Sequence, residues 1–127
     1  MTVRWYLPLL LWSMLILILT WYPKIEMPDL GFDAQDKAAH WGVFFIFGIL
    51  SLRAFSKYEI KRLPTAVFTT VFLGSGFALI DEVVQRWIPG RSFDPLDGLF
   101  NLLGVITAVL LFGRMILPFV QRQRIPW

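Results

Sequence analysis

The chain has no cysteine and a single histidine, and only 17% of its 127 residues are charged. The missing cysteines exclude a disulfide, a thiolate nucleophile and any metal site built on thiolates. Also absent are the Gly-rich phosphate loops of nucleotide-binding proteins, low-complexity tracts and any convincing internal repeat, so the chain reads as one domain over residues 1–127. Nucleic-acid binding is disfavoured, because the basic residues are scattered near a membrane surface, where anionic lipid headgroups are the simpler partner.

What the chain has in excess is apolar surface, with 57% of its residues hydrophobic. That surface falls in four runs, from about Trp5 to Tyr22, Ala38 to Phe55, Leu63 into the region of Asp81, and Leu96 to Phe119. A soluble fold of this length can bury some of it, but not four runs that each approach the length needed to cross a hydrocarbon core of roughly 30 Å. Only helices or a closed barrel satisfy backbone amides in lipid. Barrel strands alternate apolar and polar residues, which Val67 to Leu73 and Val105 to Phe112 do not. The expected fold is therefore all-α, with four transmembrane helices. Arg4 precedes the first run as in a signal peptide, yet no small-x-small cleavage site follows it. Its end at Trp21-Tyr22 is the interface anchor of a retained helix.

Lys and Arg in short loops set orientation. Eight of the twelve (Arg4, Arg53, Lys57, Lys61, Arg62, Arg114, Arg122 and Arg124) fall on one side, against Lys24, Lys37, Arg86 and Arg91 on the other. Both termini and the second loop are accordingly expected in the cytoplasm. The acidic residues separate the opposite way, with only Glu59 on the inner side.

Polar residues concentrate at the outer ends of helices two, three and four. Asp36 and His40 are one turn apart and can share a face, the carboxylate orienting the imidazole. A plainer reading makes Asp33 an N-cap with Asp36 three residues into the helix. Asp81 and Glu82 directly follow an apolar run. Asp81 shares a stripe with Gly74, Ala78 and Gln85, while Glu82 either turns into the bundle or pairs with Arg86 at the surface. Pro89-Gly90 marks a turn, Asp94 is a good N-cap with Pro95 at the first helical position, and Asp97 meets the positive end of the helix dipole. Asn101 and Gly104 continue from Asp97 as a polar-then-small stripe suited to helix packing.

Taken in order, Asp36-Lys37-x-x-His40, Asp81-Glu82-x-x-Gln85 and Arg91-Ser92-Phe93-Asp94-x-x-Asp97-x-x-x-Asn101-x-x-Gly104 resemble the VanZ-like family across essentially the whole chain. The resemblance implies a multi-pass protein of the bacterial inner membrane. It also implies a functional set of His40, Glu82, Gln85, Arg91, Asp94, Asp97 and Asn101, and a possible link to resistance against teicoplanin, a lipidated glycopeptide.

The residues themselves suggest one polar pocket at the outer end of the bundle. His40, Glu82 and Asp97 are the candidate catalytic groups, with His40 as a base or, with the two carboxylates, a metal ligand. Arg91, Gln85, Asn101, Asp94 and Asp36 are the candidate substrate-binding groups. The expected partner is a membrane lipid or lipid-linked cell-wall intermediate, recognised or modified at the outer leaflet. The alternative is a non-enzymatic protein that binds a lipid or antibiotic, its bundle locked by Asp36–His40, Glu82–Arg91 and Asp97–Asn101.

Overall fold

Each apolar run folds as a helix because a helix satisfies its own amides, and the helix ends mark where the chain regains polar surroundings. A computed structural model describes residues 2–22 and 34–123. Helix α1 is Val3–Trp21, α2 Ala34–Ser56, α3 Leu63–Gln85 and α4 Pro95–Leu111. A π-helical segment, Phe112–Ile116, then leads into α5, Leu117–Gln123. Among the described residues, four stretches are long and apolar enough to cross a membrane: Val3–Trp21, Gln35–Ser56, Ile60–Gln85 and Pro95–Phe119. The second begins earlier, and the third ends later, than the apolar runs alone suggest. The added turns carry Asp36, Lys37, Glu82 and Gln85, so these residues of the site stand on continuous helix.

Large apolar side chains cover the outside, among them Leu10, Leu11 and Met14 on α1, Phe68 and Phe72 on α3, and Leu99 and Leu110 on α4. Surface of this kind suits lipid. Inside, Ile16, Phe44, Phe47, Ala78 and Val105 join the first three helices to α4, and Leu52, Ala66, Phe112 and Leu117 form a second cluster toward the other end. The closest pairing is α2 against α4. Gly104 makes it possible, because a Cβ there would meet the Trp41 carbonyl and lie 2.8 Å from the Phe45 nitrogen. One turn further along the same interface, a Cβ on Gly48 would stand 2.6 Å from that of Ala108.

The two ends of the bundle differ. At one, Arg53 donates to the Arg4 carbonyl at 3.3 Å, both guanidinium groups lie over the Trp5 ring, and Gln121 donates to the Tyr58 carbonyl. The chain start, the α2–α3 turn and α5 therefore share the basic end. The opposite end gathers the close of α1, the start of α2, the close of α3 and the start of α4. The proposed capping residue Asp33 lies outside the described residues.

Candidate functional site

Three helix ends supply the polar cluster. Asp94 caps α4, its carboxylate accepting from the Leu96 amide at 2.9 Å. That cap aims the first turns of α4 so that Asp97 and, one turn on, Asn101 face α2. From α2, His40 Nδ1 lies 3.0 Å from Asn101 Oδ1, and His40 Nε2 lies 3.4 Å from Asp97 Oδ2 and 3.8 Å from Asp36 Oδ1. From α3, Glu82 Oε1 stands 4.0 Å from His40 Nδ1 and accepts from Gln85 Nε2, while its other oxygen accepts from the Asp94 backbone amide.

The cluster has depth. Asn101 is fully buried and Glu82, Asp97 and Gln85 nearly so, His40 forms a partly buried wall, and the Asp36 side chain is 68% exposed. The sequence-predicted residues His40, Glu82, Gln85, Asp94, Asp97, Asn101 and Asp36 thus come together, with Asp36 and Asp94 at the rim. Asp81 is buried on the stripe with Gly74, Ala78 and Gln85. Glu82 turns inward rather than forming the surface pair with Arg86, whose guanidinium lies over Trp87.

Arg91 does something different. It donates to the carbonyls of Leu19 and Tyr22 at 2.9 and 3.2 Å, so it braces the end of α1 instead of pairing with Glu82. The last carbonyls of a helix lack intrahelical donors and carry its negative pole, which explains the attraction.

Lys37 stands in the Asp36-Lys37-x-x-His40 motif without an assigned role, and it ties α2 to the start of α4. Its ammonium lies 2.7 Å from Asp94 Oδ2 and bonds Asp97 Oδ1. A cation in a first helical turn is unfavourable against the dipole, so a lysine there needs carboxylates from another element, and that mismatch was the available signal. The Lys37 ammonium, aided by the Leu96 amide, holds the Asp94 carboxyl below the usual carboxylate range.

Two buried polar atoms at this end of the bundle, Asn101 Nδ2 and Asp81 Oδ1, have no hydrogen-bond partner among the described residues. Because Asn101 Oδ1 can only accept, His40 Nδ1 carries the proton of their hydrogen bond and Nε2 faces the carboxylates of Asp36 and Asp97. The arrangement offers an imidazole for proton transfer, an amide donor on the floor and carboxylates at two depths.

A family model described as VanZ/LLP1 matches residues 5–117. An uncharacterized protein of the fission yeast Schizosaccharomyces pombe is 33% identical over 84 residues, which make up 66% of this chain and 50% of that protein. The chain thus spans about half the length of that relative. No solved structure matches.

Proposed function

The chain belongs to the VanZ/LLP1 family, and from that premise we propose that it recognises or modifies an envelope lipid or lipid-linked cell-wall intermediate in the pocket around His40. The observation that carries this reading is a fully buried Asn101 amide nitrogen without a partner, one helical turn from Asp97 and joined through its oxygen to His40. A buried donor left unmade is costly, and ionisable groups at this depth in a membrane bundle mark function more often than support. A headgroup entering past Asp36 would meet His40 and then Asn101. The basic end lies in the cytoplasm of a bacterial inner membrane and the pocket in the outer leaflet, where a lipidated glycopeptide such as teicoplanin also acts.

The second reading is a binding or interaction protein without chemistry. It is favoured by Lys37 and Arg91, which spend their charge bracing α4 and α1. Native mass spectrometry of the purified protein tests the shared element of both. Retained lipid should be lost in His40→Gln and Asp97→Asn and kept in Glu59→Gln at the far end. Equal retention in all four proteins would remove the pocket as the lipid site, and turnover of the retained lipid separates modification from binding alone.

A further inference from the structure

His40 Nε2 and two carboxylate oxygens converge without a hydrogen bond between them. With Nδ1 donating to Asn101, Nε2 faces Asp97 Oδ2 at 3.4 Å and Asp36 Oδ1 at 3.8 Å. These separations are too long for hydrogen bonds of ordinary strength, so one imidazole nitrogen and two carboxylate oxygens ring a gap that no hydrogen bond among the described residues fills. Lys37 does not resolve this, because it bonds the other oxygen of Asp97 and reaches Asp36 only at 3.8 Å. The nearby Asp94 and Glu82 add further carboxyl groups.

We propose that Asp36, His40 and Asp97 bind a divalent transition cation, zinc or manganese. The three ligand atoms lie within 4.8 Å of one another. Ligands about 2.1 Å from a zinc ion at tetrahedral angles stand roughly 3.4 Å apart, which is the His40–Asp97 separation. Imidazole nitrogen with carboxylate oxygens suits these ions. Asn101 then has the place of the outer group that a metal-bound histidine requires: it accepts from the other ring nitrogen and fixes the tautomer that directs Nε2 toward the ion. Its fully buried Nδ2 has no protein partner and stays open to a water or ligand atom entering the cluster. Asp97 is divided between two cations, Oδ1 serving Lys37 and Oδ2 the metal. The exposed Asp36 leaves the ion reachable from the membrane surface.

The site stands independently of the lipid reading, so it is tested without lipid substrate. Detergent-purified protein, freed of its affinity tag and stripped with chelator, is titrated calorimetrically with Zn²⁺ alone and with Mn²⁺ alone. One ion per chain is expected for at least one metal. Asp36→Asn, His40→Gln and Asp97→Asn each abolish saturation, Asn101→Leu weakens affinity about 10- to 100-fold, and Glu59→Gln binds as wild type. Asp36 is at the rim, so Asp36→Asn remains informative even if Asp97→Asn does not fold. The bound ion should also raise the melting temperature of wild type and leave that of Asp36→Asn unchanged. Absence of saturable binding by either ion, or binding that persists in both Asp36→Asn and His40→Gln, overturns the proposal.

Discussion

His40 Nδ1 and Asn101 Oδ1 meet at 3.0 Å across the interface of α2 and α4, joining residues 61 positions apart in sequence. This bond orients the only histidine of the chain. Its energetic weight is measurable by a double-mutant cycle. His40→Leu and Asn101→Leu should each destabilise, since each leaves a buried partner unpaired at about 1–3 kcal/mol. The pair should couple by roughly 0.5–3 kcal/mol, as contacting residues do. Additive losses in detergent melting would show that the two do not depend on each other.

Lys37 should matter to stability more than its place at a helix start suggests. Lys37→Met leaves the nearly buried Asp97 without its ammonium, and breaking a buried pair costs roughly 3–5 kcal/mol; the partial exposure of Lys37 places this case toward the lower figure. Lys37→Arg should recover part of the loss. A melting temperature unchanged in Lys37→Met would contradict the pairing.

The same contact predicts an acid dependence. Asp94 has its folded-state pKa depressed by Lys37 and the Leu96 amide. Its contribution is therefore complete above the unfolded carboxylate value of about 3.9 and is lost as pH falls through the lower folded value. Wild-type melting should drop in that acid window more steeply than that of Asp94→Asn. Parallel pH profiles would mean that Asp94 is not held by Lys37.

Helix packing can be tested with glycines. A Cβ on Gly104 has the backbone of Trp41 and Phe45 against it, whereas one on Gly76 meets nothing within 4 Å. Gly104→Ala should cost about 1–3 kcal/mol through overpacking and disturb the His40–Asn101 contact. Gly76→Ala should be neutral in both melting temperature and abundance.

What was readable in advance follows from range. The apolar runs, the Asp94 cap and the Asp97–Asn101–Gly104 stripe depend on residues within one or two helical turns, and the structure places them as read. The inward turn of Glu82 was one of two local options and needed the neighbouring helices to decide it. Lys37 and Arg91 act across elements, and their partners depend on how far one helix end projects past another. Short-range spacing carries no such information. Gly113 within the π-helical segment Phe112–Ile116 and Pro118 just beyond it are residue types that interrupt a helix, a local signal that the apolar run alone passes over.

A lipid headgroup in the pocket beside His40 is the proposal on which the functional reading rests. With one histidine in the chain, ¹⁵N-histidine labelling yields imidazole nitrogen signals from that site alone. The decisive measurement is the NMR spectrum of labelled protein in phosphatidylcholine nanodiscs, titrated with bacterial membrane lipid extract. A saturable shift of the His40 ring nitrogens that is lost in Asn101→Leu is expected. Ring signals that stay fixed throughout the titration, while the protein remains folded and monodisperse, would contradict it.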